Sequence, residues 1–272
     1  MSRTTVSDLT AKAEAGEPIT MLTAYDAEMA RIVDSQGVDV ILVGDSMGNN
    51  QLGYDSTLPV TIDEALTATK AVSRSVTEAM VVGDLPFMSV GASLEQSVEN
   101  AGRFMKEADA DAVKLETSPG GTISVEVADR LVELGVPVMG HIGFTPQHLK
   151  QFGGHVVQGR ESEGGIKQLI DTAKRLEAAG VFSIVLEAVT EAAAERITNA
   201  VDVPTIGIGA GREVDGQVLV INDVIGLGSY DLTFNKQYAD VESIIANAVS
   251  EYVTDIEAGA FPTEEHIFKS DM

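Results

Sequence analysis

The chain contains no cysteine, which removes disulfides, thiolate zinc sites and cysteine nucleophiles together. Any metal must be held by oxygen or imidazole. Basic residues are scarce as well: 18 Lys and Arg against 42 Asp and Glu leave a formal net charge of −24, which opposes binding to nucleic acid or to an anionic membrane. No apolar stretch approaches the roughly 18 uninterrupted residues of a membrane span. The first residues, MSRTTVSDLTAKAEAGEPI, lack the apolar core of a secretory signal and carry several acids. A soluble, cytoplasmic protein with neither nucleic-acid nor membrane partners is expected. No GxSxG elbow occurs, so acyl-transfer hydrolysis has no support. There is no dinucleotide fingerprint and no mononucleotide P-loop. The glycine cluster GIGAGR, Gly207 to Arg212, reads either as a phosphate cradle or as a close-approach turn.

The acidic residues are dispersed over segments such as SLEQSVENAGRFMKEADAD and TDIEAG rather than gathered in one block. A solvated acidic surface of this kind suits high salt, where screening suppresses self-repulsion. A halophilic source with a salt requirement for stability is expected.

Five ionisable side chains stand where apolar runs end: Asp45 after VDVILVG, Asp84 after AMVVG, Glu116 after DAVKL, His141 after VPVMG and Glu187 after VFSIVL. Each run reads as a short buried strand. Eight strands are expected, at 19–23, 38–43, 80–83, 112–115, 136–140, 182–186, 203–208 and 218–221. Amphipathic stretches lie between them, at 26–36, 62–75, 94–107, 123–134, 166–179 and 192–200. Such alternation implies parallel strands with crossover helices. Eight units in 272 residues favour one α/β domain over residues 1–272, a (β/α)8 TIM barrel with a short polar C-terminal tail. In a barrel the strand ends form the catalytic face. Two long loops leave from such ends, residues 45–61 and 142–165, and read as lids or binding segments. The tail EEHIFKSDM either stays loose or docks on a neighbouring subunit.

Two carboxylates in one mouth, Asp45 and Asp84, repel, and a divalent cation would relieve that repulsion; Glu116 is expected as a third oxygen ligand, directly or through water. Hard oxygens without sulfur suit magnesium best. The alternative for each acid alone is a helix cap or turn. Lys114 lies inside the apolar run AVKLE, where alternation aims it into the barrel, and there it needs an anion. That anion is either a substrate carboxylate or a neighbouring acid. His141 either donates to a substrate carbonyl or carboxylate or caps the next segment. Glu187, at the rim of an apolar barrel, is expected to have a raised pKa suited to a general base; its alternative is a cap for the following helix. His148, His155 and His266 show no ligand spacing and carry little weight.

The motifs TAYD (23–26), VGDSMGNNQLGYDSTLPVT (43–61), VVGDLPFMS (81–89), VKLE (113–116), GHIGFTPQ (140–147), GGHVVQGR (153–160), LEAV (186–189), GIGAG (207–211), DGQVLV (215–220) and FPTEEHIF (261–268) run in collinear order. With them the chain resembles the ketopantoate hydroxymethyltransferase family over nearly its whole length. The resemblance implies transfer of a hydroxymethyl group from 5,10-methylenetetrahydrofolate, or a related pterin, to 3-methyl-2-oxobutanoate through a magnesium-stabilised enolate. It makes Asp45, Asp84 and Glu116 the magnesium site. It places the 2-oxo acid on Asp45, Ser46, Asp84 and Lys114 with His141 lining the pocket, and makes Glu187 the proton acceptor. A homo-oligomer, a decamer of two pentameric rings, is also implied. The rivals are a magnesium-dependent 2-oxo acid enzyme of the phosphoenolpyruvate mutase or isocitrate lyase type and a non-catalytic barrel scaffold. The former usually carries a loop cysteine, which this chain lacks.

Overall fold

A computed structural model describes residues 3–118, 120–160, 163–228 and 232–268; the end of the tail, from Lys269, and Glu161 and Ser162 of the second long loop lie outside them. Eight parallel strands close into a barrel in chain order, and β1 completes the ring by pairing with β8. They are β1 (Ile19–Thr23), β2 (Val40–Val43), β3 (Met80–Asp84), β4 (Ala112–Glu116), β5 (Val138–Gly143), β6 (Ser183–Glu187), β7 (Thr205–Ile208) and β8 (Gly216–Leu219). The helices are α1 (Val6–Glu14), α2 (Ala27–Asp34), α3 (Met47–Asn50), α4 (Ile62–Ser73), α5 (Leu94–Glu107), α6 (Ile123–Glu133), α7 (Leu149–Phe152), α8 (Glu163–Ala178), α9 (Glu191–Thr198), α10 (Ile221–Ile225) and α11 (Val241–Ala258). Each expected strand is present: β1 has the expected bounds, and the other seven are shifted by one to three residues at one or both ends.

The helices start where their caps say they should. Asp26 accepts from the Met29 N–H at the head of α2. Thr61 and Glu64 form a reciprocal capping box at the head of α4, and Ser93 accepts from the Gln96 N–H at the head of α5. Such caps satisfy backbone donors that the helix leaves open.

The barrel interior is layered by strand alternation. Ile19 and Met21, Val40 and Leu42, Met80 and Val82, Ala112, Met139, Val185, Ile206 and Val218 form one buried apolar cluster, joined by Leu9 of α1. Two residues further along the same inward series come Asp84, Lys114 and Glu116, His141 and Glu187. The period of two that aims Met80 and Val82 inward therefore delivers Asp84 to the same interior one layer higher. Gly83, between them, faces outward: a Cβ there would collide with the ring of Phe104 on α5. Close packing of α5 against β3 requires that glycine.

The chain divides into two compact units, Met1–Ile221 with the barrel and Asn222–Met272. In the second, α11 is capped by Asp240 and ends on Gly259 in the left-handed conformation, and Phe261 stacks between Tyr252 and His266. Neither α1 nor α11 is among the helices expected from sequence, because both lie outside the strand-to-strand alternation that organised that reading. Among the described residues, no helix is long and apolar enough to cross a membrane.

Candidate active site

The polar layer at the strand ends is built from contacts between neighbouring strands. Lys114 Nζ lies 2.9 Å from Asp84 Oδ1, with both side chains almost wholly buried. The register that pairs Asp84 with Lys114 sets this contact, as the pairing of Glu116 with His141 sets the next. His141 Nδ1 stands 3.4 Å from Lys114 Nζ and 3.7 Å from Glu116 Oε1. His141 Nε2 stands 3.3 Å from Glu187 Oε2. Asp45 leaves the end of β2 on a loop, and its backbone N–H donates to Asp84 Oδ2 at 3.1 Å. Asp45, Asp84, Lys114, Glu116, His141 and Glu187 thus form one connected cluster. Ser46 joins it through the chain alone; its hydroxyl pairs at 2.9 Å with the Tyr25 hydroxyl, which the sequence reading had only as part of TAYD.

Four carboxylates here face one ammonium group. Burial raises the Asp45 carboxyl well above the usual carboxylate range, with the charges of Asp84 and Glu116 adding to the shift. Burial alone would lower the Lys114 pKa, but Asp84, Glu116 and Asp45 outweigh it and hold the lysine above its ordinary value. Burial, and next the Lys114 charge, push His141 down to about 4. A lysine kept charged can only donate, so His141 Nδ1 is the acceptor and the neutral ring carries its proton on Nε2, facing Glu187. Burial raises Glu187 to about 7, against the opposing charges of Lys114 and His155.

The residues that would hold a metal are Asp45, Asp84 and Glu116. Among the described residues, no three acids or histidines converge on one point at ligating range. The donor chemistry nevertheless fits a hard divalent cation. All three acids are buried, and Asp84 Oδ1 and Glu116 Oε1 are buried without an aligned hydrogen bond. The excess of negative charge is what a cation would neutralise.

Sequence reasoning missed Gln147 and undervalued His148. Both lie in the one-turn 3₁₀ segment Pro146–His148 after β5. The Gln147 backbone N–H donates to Glu116 Oε2 at 2.9 Å, and its side-chain amide donates to Asp45 Oδ2 at 2.8 Å. His148 Nδ1 lies 3.7 Å from Glu116 Oε2 and 2.9 Å from the Thr145 hydroxyl. A proline fixing the turn in FTPQ is the signal that points to these residues. His155 stacks on Phe144 at 4.9 Å. The glycine cluster is a turn against α9: a Cβ on Gly211 would strike Glu191, whose carboxylate pairs with Arg212 at 2.9 Å.

The ketopantoate hydroxymethyltransferase family profile matches residues 3–264. The chain belongs to that family. It is 52% identical to the 3-methyl-2-oxobutanoate hydroxymethyltransferase of Halobacterium salinarum, over 95% of this chain and 93% of that one. It is 51% identical to the enzyme of the same name from Haloarcula marismortui, over 98% and 97%, and 50% identical to that of Thermosipho africanus, over 93% and 94%. The protein is accordingly an enzyme, a hydroxymethyltransferase that moves a one-carbon unit. Two of these relatives come from salt-loving archaea, in keeping with the acidic composition. Among solved structures, phosphonopyruvate hydrolase aligns with a TM-score of 0.64 at 10% identity, over 99% of this chain and 92% of that one. A 2,3-dimethylmalate lyase of the PEP mutase/isocitrate lyase superfamily aligns at 0.60 and 13%, over 98% and 93%. At such identities the likeness is one of barrel fold.

Proposed function

We propose that this site removes the C3 proton of 3-methyl-2-oxobutanoate and directs the resulting carbon nucleophile onto the one-carbon unit of 5,10-methylenetetrahydrofolate or a related pterin, with one water supplying the hydroxyl oxygen and the tetrahydropterin leaving, to give 2-dehydropantoate for pantothenate and coenzyme A synthesis. The observation that carries the reading is the unbroken run of contacts from Asp84 through Lys114 and His141 to Glu187. A cationic anchor at one end and a basic carboxylate at the other bracket a small 2-oxo acid.

Lys114 supplies a buried positive charge for the substrate carboxylate, with Ser46 as a hydroxyl partner. His141, neutral at physiological pH, offers its Nε2–H to an oxygen in the pocket. Glu187 takes the C3 proton at a carboxylate oxygen, and its raised pKa matches that of a general base working near neutrality. The apolar layer beneath, from Met80 to Val218, keeps water away from the reacting carbon. Asp45, Asp84 and Glu116, the last directly or through water, would hold one magnesium ion per subunit. Bound there, the ion supplies positive charge that acidifies the C3 proton and stabilises negative charge on the substrate's keto oxygen.

The enzyme works in this reading as a cytoplasmic homo-oligomer, a decamer by family. A row of exposed apolar side chains on α11, including Ile244, Val249, Tyr252 and Val253, supports assembly through that helix. Mass spectrometry of reactions with magnesium, 3-methyl-2-oxobutanoate and either methylenetetrahydrofolate or its methanopterin counterpart tests the function. Formation of 2-dehydropantoate with one donor is expected; none with either would contradict it.

A further inference from the structure

Gln147 spends every donor it has on the ends of three strands. An amide nitrogen has two hydrogens. One goes to Asp45 Oδ2, beyond β2, at 2.8 Å, and the other to the Leu85 carbonyl, directly after Asp84 of β3, at 3.0 Å. The backbone N–H of the same residue goes to Glu116 Oε2, the end of β4, at 2.9 Å. A single residue on the loop after β5 therefore touches two of the three carboxylates assigned to the cation and the residue next to the third.

The loop is built to hold that residue still. Pro146 opens the 3₁₀ turn, the His148 N–H donates to the Thr145 carbonyl at 2.8 Å, and the Gly153 N–H returns to Leu149 at 3.0 Å. Thr145 is fully buried, so the turn is anchored on the barrel side. A carboxylate oxygen has two lone-pair sites, and one occupied by an amide N–H leaves the other directed at a cation. Partners of this type fix the ligand's orientation, and their loss typically costs 10–100-fold in metal affinity.

We propose that Gln147 is a positioning residue for the divalent-cation site, holding Asp45 and Glu116 in the orientation that binds the ion and tying the loop after β5 to that site. The proposal rests on the metal reading above and adds to it a residue that acts through two of the assigned ligands. A glutamate at this position would supply no amide donor and would add a fifth carboxylate, which explains why an amide serves here.

Manganese binding to the substrate-free protein, followed by the electron paramagnetic resonance of the free ion, tests it. Gln147→Met keeps chain length and removes both side-chain donors. A dissociation constant raised about tenfold or more over wild type, with the melting temperature of the metal-free protein little changed, is expected. Equal affinity in wild type and Gln147→Met would overturn this proposal alone, and tighter binding in the variant would mean that the amide blocks the ion, overturning it too. A variant whose only change is a lower metal-free melting temperature would mark Gln147 as merely structural. Wild-type protein that binds no manganese would overturn both this proposal and the metal reading.

Discussion

His141 Nε2 and Glu187 Oε2 lie 3.3 Å apart, with a neutral imidazole on one side and a carboxyl that titrates near neutrality on the other. Glu187 is raised to about 7, by burial first, while His141 is lowered to about 4, also by burial first. Near pH 7 the histidine is neutral, and of this pair it is the glutamate that changes charge. A base acts when deprotonated, so the C3 proton-exchange rate should rise as pH increases through about 7 and level off above it. A pH–rate profile of exchange, with the ion at saturating concentration, checks this. The stability contribution runs the opposite way. With its folded pKa raised, Glu187 contributes stability that is fully present below its unfolded value and is lost as pH rises through about 7.

Lys114 is the only cation in direct contact with Asp84 among the described ion pairs. Removing one member of a buried pair leaves an unpaired buried charge, at a cost of about 3–5 kcal/mol. Lys114→Met should therefore lower the denaturant midpoint of the metal-free protein markedly. Added magnesium should restore less than the full loss, because the ion is drawn to the carboxylates and not to the space the ammonium filled. Chemical denaturation with and without magnesium measures both.

Ala188, directly after Glu187, has φ +47, a left-handed conformation that costs a non-glycine residue roughly 1–2 kcal/mol. Its backbone is fixed on both sides: its N–H donates to Ile208 and its carbonyl accepts from Gln158, each at 2.8 Å. Strain next to the base is held by these two bonds. Ala188→Gly should keep the melting temperature and activity, whereas Ala188→Val, β-branched, should lower both. Thermal melts and exchange assays on the two variants settle the order.

The formal net charge of −24 is self-repelling at low ionic strength and is screened at high. The melting temperature should climb between low and molar potassium chloride. A flat curve would mean that the acidity is incidental to stability.

The barrel was legible because period-two strands and period-3.6 helices alternate without interruption, and because Asp84, Lys114, Glu116 and Glu187 stay in phase with the apolar residues before them. Ser46 came from family resemblance, since an exposed-looking serine in a loop carries no periodic signal. Gln147 stayed hidden for a related reason: its three bonds reach residues 31, 62 and 102 positions away, and no local pattern encodes such contacts. α1 was missed because nothing in its own period shows that Leu9 enters the barrel cluster.

The assignment of Glu187 as the base is tested most directly by deuterium exchange at C3 of 3-methyl-2-oxobutanoate, followed by NMR in high potassium chloride with and without magnesium, in wild type and Glu187→Gln. Exchange that needs magnesium and falls at least about 10²-fold in the variant is expected. Exchange that persists at the wild-type rate in a folded Glu187→Gln protein would contradict it.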